Sequence, residues 1–155
     1  MKKTNAMRIL ESENVPYSTL SYEVDEEHLD AMHAAEKLNI DAEQLFKTIV
    51  MITDEKEIFV FCVPAHYDIN LKKVRSLCSV KNIDLLPLSQ LQKHTGYIRG
   101  GCSPLGMIHK YPTFIEESAL LCNKVFVSAG VRGTMLCLDP KDLARITEAE
   151  FTALI

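Results

Sequence analysis

The sequence predicts a mixed α/β (α+β) domain, in which one curled, barrel-like mixed sheet is surrounded by helices. Helical and strand patterns are interleaved along the whole chain, and their order is not the regular alternation of a parallel βαβ array. Near the centre, two apolar runs at 46–53 and 57–64 are separated by three polar residues, which favours an antiparallel hairpin. With 155 residues, 47% of them hydrophobic, we expect a single domain over 1–155 with a substantial core.

The first half of the chain is expected to contain two helices and three strands. Thr4 or Asn5 can cap the first helix, and the sequence Asn14-Val15-Pro16 ends it. Residues that favour strands from 17 to 24 predict the first strand, and alanines at helical spacing predict the second helix. The expected elements are a helix over 4–13, a strand over 17–24, a helix over 30–38 and the two strands of the hairpin.

The second half combines helices, strands and one glycine-rich loop. Asn70 can cap a helix, and Asp139 followed by Pro140 marks the start of another. Residues 95–106, here called the glycine loop, contain four glycines and a proline, a composition typical of an ordered loop. The expected elements are helices over 71–78, 88–94 and 141–145, strands over 113–116, 124–128 and 134–138, and a last helical stretch over 148–154.

Cysteine and histidine usage argues against a disulfide framework and against a metal site. The five cysteines are widely spaced without a CxxC pair, and the five histidines form no HExxH pattern. The N-terminus is polar, and no apolar run is long enough to span a bilayer. We therefore expect a cytoplasmic protein with reduced thiols, no cofactor, no metal and no membrane partner.

Charge is distributed unevenly along the chain. The net charge is −4, yet residues 61–110 carry seven Lys or Arg against two Asp or Glu, a net of +5. Such a segment can form a phosphate-contacting face, or it can be the ordinary solvated surface of helices. The cations that would form a tRNA-binding face are Lys72, Lys73, Arg75 and Arg99.

Three features could carry chemistry, and each also has a purely structural explanation. Lys47 lies in an apolar strand, so its ammonium either reaches solvent or faces a cavity that needs a cation. The glycine loop can present backbone N–H groups to an anion or a carbonyl, or it can simply connect two elements. Ser128 ends a strand before a glycine-rich turn, which either exposes its hydroxyl or forms a plain hairpin.

Cys102 is an alternative catalytic candidate. It lies in the glycine loop, seven residues before His109, and a thiol beside an imidazole can act as a nucleophile. Free cysteines, however, are usually buried and pack as small hydrophobic residues, which is the structural explanation for Cys102.

These segments together resemble the YbaK/EbsC family, free-standing relatives of the editing domain inserted in bacterial prolyl-tRNA synthetases. Each motif alone is weak, but their order and spacing match the family over nearly the whole chain, and the combination is specific for the superfamily. The matching segments are Ser21-Tyr22-Glu23, Phe46-Lys47-Thr48, Thr95-Gly96-Tyr97, Gly100-Gly101-Cys102-Ser103-Pro104-Leu105-Gly106, Val127-Ser128-Ala129-Gly130 and Arg132-Gly133.

The resemblance implies an enzyme that hydrolyses mischarged aminoacyl-tRNA, a reaction called trans-editing. Members of this branch clear cysteine from proline tRNA, and relatives remove alanine or other small amino acids. By analogy, Lys47 would hold the terminal nucleotide or the ester, and the amides of Gly100 and Gly101 would bind the scissile carbonyl. The residues that would contact the substrate are Tyr22, Thr48, Ser103, Pro104, Ser128 and Gly130.

The resemblance also implies a reaction without a protein nucleophile. In a cysteinyl ester the substrate's own thiol can attack the carbonyl and release the tRNA, whereas an alanyl ester needs a bound water. The expected partners are a mischarged tRNA, in the first place proline tRNA, and prolyl-tRNA synthetase as a recruiting enzyme. This function favours the four cations named above as the surface that binds tRNA.

Two places depart from the family pattern. Relatives often carry an aromatic residue between the first strand and the second helix, where this chain has Glu27-His28-Leu29-Asp30-Ala31. Two positions after Arg132-Gly133, relatives carry an aspartate or another polar residue, whereas this chain has Met135. We expect a more apolar pocket, which leaves open a deacylase for another small amino acid such as alanine. A degenerate domain that only binds tRNA or a synthetase is the remaining alternative, against which the intact Lys47 and glycine loop argue.

Overall fold

The computed structural model describes residues 2–155, in which helices and strands are interleaved as expected. The helices are α1 (Asn5–Ser12), α2 (Ala31–Leu38), α3 (Leu71–Cys78), α4 (Leu88–Thr95) and α5 (Pro140–Thr147), with a 3-10 helix at Glu117–Leu121. The strands are β1 (Ser18–Ser21), β2 (Phe46–Thr53), β3 (Ile58–Pro64), β4 (Ile83–Leu85), β5 (Thr113–Glu116), β6 (Val125–Ser128), β7 (Thr134–Leu138) and β8 (Glu150–Thr152).

The strands form two sheets. β1, β7 and β6 make a three-stranded antiparallel sheet in that order, and β4, β2, β3, β5 and β8 make a five-stranded mixed sheet. The sheets meet at one isolated parallel bridge between Leu45 and Phe126, beside the start of β2. The mixed α/β class is confirmed. The prediction of a single curled, barrel-like sheet is wrong. One bridged pair of residues cannot continue the hydrogen-bond ladder from one sheet into the other.

Helix caps account for the agreement between the expected and observed helices. Thr4, Asn70 and Asp139 each accept a hydrogen bond from a backbone N–H in the first turn of their helix, and Pro140 follows Asp139 as expected. Such a cap stabilises a helix by about 1 kcal/mol. The expected helices before residue 148 are therefore confirmed to within two residues at each end.

The predicted helical stretch at 148–154 is wrong. Glu148 adopts a left-handed conformation with φ 56° and ends α5, after which the chain forms β8. β8 pairs in parallel with β5, and the Leu154 N–H donates to Glu116 Oε1 at 3.3 Å. Pairing with a distant strand therefore decides this segment. β4 and the 3-10 helix have no counterpart in the sequence prediction, because elements of three and five residues carry little pattern.

β2 is the strand that positions the site. It forms the predicted antiparallel hairpin with β3, whereas β4 pairs on its other edge only with Met51–Thr53. Met51 packs with Val74 of α3, and Val50, on the opposite face of the strand, packs with Leu91 of α4. The start of β2 therefore keeps an unpaired edge, which faces the gap between the two sheets. No helix within residues 2–155 has the length and apolar character needed to cross a membrane.

Candidate functional site

A cleft of about 260 Å³ opens between the two sheets, beside the unpaired edge of β2. Five parts of the chain line it: the residue after β1, the start of β2, the glycine loop, the β6–β7 hairpin, and α2 with the two residues before it. Six of the predicted site residues meet here because the fold brings these segments together. They are Tyr22, Lys47, Thr48, Arg99, Gly100 and Ser128.

β2 supplies a cation to this cleft and a buried hydroxyl beneath its surface. Lys47 is partly buried, and within residues 2–155 no carboxylate oxygen lies within 4.0 Å of its ammonium. Thr48 Oγ1 is buried and has no hydrogen-bond partner in the same part of the chain. The ammonium of Lys47 favours a ligand that brings negative charge, whereas the Thr48 hydroxyl is buried opposite Cys62 of β3 and is not exposed to the cleft.

Close backbone packing holds the glycine loop against the β6–β7 hairpin. A Cβ on Gly101 would lie 3.1 Å from the backbone nitrogen of Arg132 and 3.2 Å from the carbonyl carbon of Val131. Glycine fits there without moving either segment. Arg132 Nε donates to the carbonyl of Arg99 at 2.8 Å, which fixes the loop where Arg99 enters the cleft.

Two backbone N–H groups of the loop are available to a ligand. Gly101 donates its N–H to the carbonyl of Ile98 at 3.0 Å, which closes a turn. The N–H groups of Gly100 and Cys102 donate no hydrogen bond to residues 2–155. Free N–H groups on either side of one loop residue, as these two flank Gly101, can bind a carbonyl oxygen or an anion.

Tyr97 packs between the loop and the hairpin. Gly130 has φ +97°, and a Cβ there would lie 2.8 Å from the Tyr97 ring, so both conformation and space favour glycine. The Tyr97 hydroxyl donates to the carbonyl of Leu105. Burial raises the pKa of Tyr97 to about 12, so the hydroxyl stays a neutral donor at physiological pH.

β7 and α2 give the cleft an apolar wall. Met135 is 5% exposed and packs with Ala34 and Leu45. It lies opposite Ser128 in the β6–β7 pairing, and Ser128 Oγ accepts the Gly130 N–H at 3.2 Å. The residue that departs from the family pattern therefore lines the cleft itself.

Seven predicted site residues do not line the cleft. Ser103 is fully buried, where its Oγ accepts the Leu105 N–H at 3.2 Å, and Pro104 lines a separate cleft. Gly101 and Gly130 pack behind the lining residues, against the hairpin and Tyr97. The three cations of α3 also lie outside: Lys72, Lys73 and Arg75. Of the predicted tRNA-binding face, only Arg99 reaches the cleft.

The structure separates Cys102 from His109. Cys102 lines the candidate cleft, whereas His109 is exposed and lines the separate cleft that contains Pro104. Burial raises the pKa of the Cys102 thiol to about 12, so the thiol is protonated at physiological pH. Cys102 therefore has neither an imidazole partner in its cleft nor the thiolate that a nucleophile needs.

Sequence reasoning missed the wall formed by α2 and the residues before it. Leu29, Asp30, Ala31 and Ala34 line the cleft. Asp30 caps α2 by accepting the N–H of His33 at 2.9 Å, and its carboxylate also contacts the His33 ring. The alanine spacing predicted the helix, but a helical pattern does not say which segment its small face will meet.

Comparison with known proteins identifies the family. The aminoacyl-tRNA editing domain family matches residues 25–146, which include every lining residue named above except Tyr22. A protein of Enterococcus faecalis (strain ATCC 700802 / V583) is 37% identical over 153 residues, which cover 99% of this chain and 93% of that protein. It is named EbsC, a proposed Cys-tRNA(Pro)/Cys-tRNA(Cys) deacylase. The chain belongs to the YbaK/EbsC family of aminoacyl-tRNA editing domains.

Two further proteins resemble this editing domain. YwhH of Bacillus subtilis (strain 168) is 24% identical over 114 residues, which cover 74% of this chain and 72% of YwhH. The crystal structure of an enzyme proposed to trans-edit for prolyl tRNA synthetase matches with a TM-score of 0.83 at 20% identity. That match covers 99% of this chain and 98% of the other, so the editing domain shares its fold over the full length.

Proposed function

We propose that this editing domain is an enzyme that hydrolyses the ester of mischarged aminoacyl-tRNA, with cysteinyl-tRNA(Pro) as its main substrate. The family and the activity in the name of the E. faecalis relative support the substrate class. The observation that carries the proposal is the composition of the cleft. Within residues 2–155, Lys47 has no carboxylate partner and two loop amides donate no hydrogen bond, and together they line one cleft, which suits a ligand with negative charge and an ester carbonyl.

Three polar groups of the cleft act on the substrate in this proposal. The ammonium of Lys47 holds the terminal nucleotide or the ester by charge. The N–H groups of Gly100 and Cys102 donate to the scissile carbonyl oxygen, where negative charge develops in the transition state. Because Gly101 already bonds to Ile98, its part is to pack the loop, and the donor role passes to its two neighbours.

A cysteinyl ester needs no nucleophile from the protein. The sulfur of the substrate forms a bond to its own carbonyl carbon, the bond from that carbon to the ribose oxygen breaks, and the thiol proton passes through solvent to the ribose oxygen. The products are uncharged tRNA and a thiolactone, which water opens to free cysteine. The cleft contributes by fixing the reactive geometry and polarising the carbonyl.

A second candidate substrate is alanyl-tRNA(Pro), which the apolar wall favours. Met135 is buried beside Ala34 and Leu45, where a carboxylate would give a polar pocket. A small apolar side chain fits such a wall without leaving a polar group unpaired. In this variant of the proposal a bound water, polarised by the same groups, attacks the carbonyl.

Proline tRNA is the proposed partner in both cases, with prolyl-tRNA synthetase as the enzyme that recruits this domain. Only Arg99 of the predicted tRNA-binding cations reaches the cleft, so the domain has few contacts that could read tRNA identity. Recruitment by a synthetase would supply that selectivity.

The test is deacylation of cysteinyl- and alanyl-tRNA(Pro) by the purified protein, with prolyl-tRNA(Pro) as the correctly charged control. Loss of the cysteinyl ester, with the prolyl ester intact, is the expected result. Clearance of the alanyl ester instead would change the proposed substrate and support the proposed reaction. If neither ester is lost while the tRNA still binds, the enzymatic proposal fails and a binding module takes its place.

A further inference from the structure

The wall of the candidate cleft that leads into α2 carries a carboxylate. Among the described residues that line the cleft, Asp30 is the one acidic residue, against two cations, Lys47 and Arg99. The cations suit the anionic parts of a ligand, whereas a ligand group with positive charge has a single carboxylate to pair with here. Asp30 therefore marks the position of the cleft that favours a cation.

Leu29, the residue before Asp30, packs against the glycine loop. A Cβ on Gly100 would lie 3.3 Å from both Cβ and Cδ2 of Leu29, so the two residues are in contact. Consecutive Cα atoms are about 3.8 Å apart, so Asp30 lies one residue away from this contact. The N–H of Gly100 donates no hydrogen bond to residues 2–155. A free donor and a carboxylate therefore lie close together at this corner of the cleft.

His33 holds the carboxylate in place. Asp30 Oδ1 accepts the His33 N–H at 2.9 Å, and the ring Nδ1 of His33 lies 2.7 Å from Oδ1 and 2.8 Å from Oδ2. A carboxylate only accepts hydrogen bonds, so Nδ1 carries a hydrogen and donates it. Because these contacts already restrict the Asp30 side chain, a ligand that binds it causes little further loss of side-chain entropy.

The Asp30 carboxylate has room for a further partner. Its side chain is 56% exposed, and within residues 2–155 no lysine or arginine nitrogen lies within 4.0 Å of it. Partial burial raises the pKa of Asp30, but the hydrogen bonds from His33 outweigh burial and hold that pKa below its ordinary value. A carboxylate offers about four acceptor positions, more than the N–H and the ring of His33 occupy.

Apolar residues continue the wall beyond Asp30. Ala34 lies one helical turn after Asp30 and packs with Met135, which is 5% exposed. A charged ligand group placed against such residues loses its hydration without compensation. Asp30 supplies the compensating charge at the end of this wall.

We propose that Asp30 is a specificity-determining residue, which binds the α-ammonium of the aminoacyl group and selects esters with a free α-amine over N-blocked esters. The inference rests on the proposed function. In an aminoacyl ester, the carbon that carries the ammonium is bonded directly to the scissile carbonyl carbon. The neighbouring positions of Asp30 and the free Gly100 N–H match that short separation, so the ammonium and the carbonyl are fixed together.

The experiment compares two non-hydrolysable ligands that differ by the amine alone. Each is 3′-amino-3′-deoxyadenosine acylated through an amide bond, one with cysteine and the other with 3-mercaptopropionate, which is cysteine without its α-amine. Calorimetric titrations at about pH 7 keep most of an α-amine of pKa about 7.7 protonated. The wild type should bind the cysteinyl ligand about three- to tenfold more tightly, as expected of a half-exposed charge pair.

Asp30→Asn tests the residue without removing the helix cap, because asparagine caps helices as well as aspartate does. It should reduce the preference for the cysteinyl ligand to less than about twofold and leave the affinity for the mercaptopropionyl ligand unchanged.

Asp25→Asn is the matched control, since Asp25 is a carboxylate of the same segment, 42% exposed, that does not line the cleft. It should keep the wild-type preference. Equal preferences in wild type and Asp30→Asn, no preference or no binding in the wild type, or the same loss in Asp25→Asn would each overturn the assignment of Asp30.

The titrations require no hydrolysis, so the inference and the proposed function fail separately. If the preference depends on Asp30 but no cysteinyl-tRNA is cleaved, the inference stands and the enzymatic proposal fails. If the ester is cleaved and the amine makes no difference, the reverse holds. In an active protein, Asp30→Asn should lower kcat/KM for cysteinyl-tRNA(Pro) about three- to tenfold and leave kcat/KM for 3-mercaptopropionyl-tRNA(Pro) unchanged.

Discussion

The candidate cleft and a larger cleft near the chain's last residue differ in charge more than in shape. The larger one measures about 570 Å³ against about 260 Å³, and its lining includes Asp41, Glu43 and Ile155 but no lysine or arginine. The lining of the candidate cleft contains two cations, Lys47 and Arg99, against one carboxylate, that of Asp30. A tRNA end carries negative charge, so the larger cleft repels it and the smaller one attracts it.

Unsatisfied hydroxyls do not distinguish the two clefts. Each contains one buried hydroxyl without a partner among residues 2–155, Thr48 in the candidate cleft and Ser118 in the larger one. The candidate cleft adds the unused amides of Gly100 and Cys102. The comparison teaches that the sign of the charge and the available donors, not the volume, distinguish the cleft that suits a ligand with negative charge.

The largest expected effect comes from removing the cation. Lys47→Ala should lower kcat/KM for deacylation by roughly 10²–10³-fold, the usual loss when one preorganised charge or donor at the reacting carbonyl is removed. Steady-state deacylation assays would measure it.

Glu43→Ala in the larger cleft is the matched control and should leave the rate unchanged, since Glu43 is largely exposed and does not line the candidate cleft. Equal rates for wild type and Lys47→Ala, or a loss with Glu43→Ala, would reverse the assignment of the two clefts.

A smaller effect is expected from the turn that supports the candidate cleft. Gly130→Ala should lower the free energy of unfolding by roughly 1–3 kcal/mol, because alanine is strained at φ +97° and its Cβ would press on the Tyr97 ring. Urea unfolding would show the shift in midpoint.

Leu121→Ala, at an 89% exposed position in the larger cleft, should change that free energy by no more than about 0.5 kcal/mol. Similar losses in the two variants would mean that the hairpin is not rigidly supported by Tyr97.

The smallest expected effect concerns Cys102. Cys102→Ala should keep deacylation within about twofold of wild type, since the loop contributes amides there and the pKa of the thiol is raised to about 12 by burial. The thiol stays protonated as pH rises through the ordinary range for cysteine, near 8.5, and ionises only toward pH 12.

Two measurements check this pH dependence. Alkylation of Cys102 by iodoacetamide, followed by mass spectrometry, should still be accelerating at about pH 10, where a free thiol has reached its plateau. The pH–rate profile of deacylation should be the same for wild type and Cys102→Ala. A plateau in alkylation near pH 9 together with an inactive Cys102→Ala variant would make Cys102 the nucleophile.

Local chemistry explains which predictions from the sequence were confirmed. Caps at Thr4, Asn70 and Asp139 act within one helical turn, and the short polar linker of the β2–β3 hairpin acts within a few residues. The residues that produce such a signal all lie within a few positions of one another in the sequence. The expected last helix at 148–154 failed for the opposite reason, because its β-strand conformation depends on pairing with β5.

The sequence likewise predicted some features of the candidate site and not others. The motifs indicated Lys47, the glycine loop and Ser128 as separate features, and the family resemblance joined them before any contact was known. Motif membership did not distinguish Gly100, which lines the cleft, from Ser103, which turns inward to the Leu105 N–H. Nor did it separate Arg99 from the cations of α3.

The sequence by itself determined the helices, the central hairpin, the family and the segments that hold the candidate chemistry, because caps, alternation and motifs are read within short stretches. Only the tertiary structure decided that the strands form two sheets, that β4 leaves the start of β2 uncovered, and that Lys47, Gly100 and Met135 line one cleft. These outcomes depend on pairing and packing between residues far apart in the chain, where no local pattern specifies the partner.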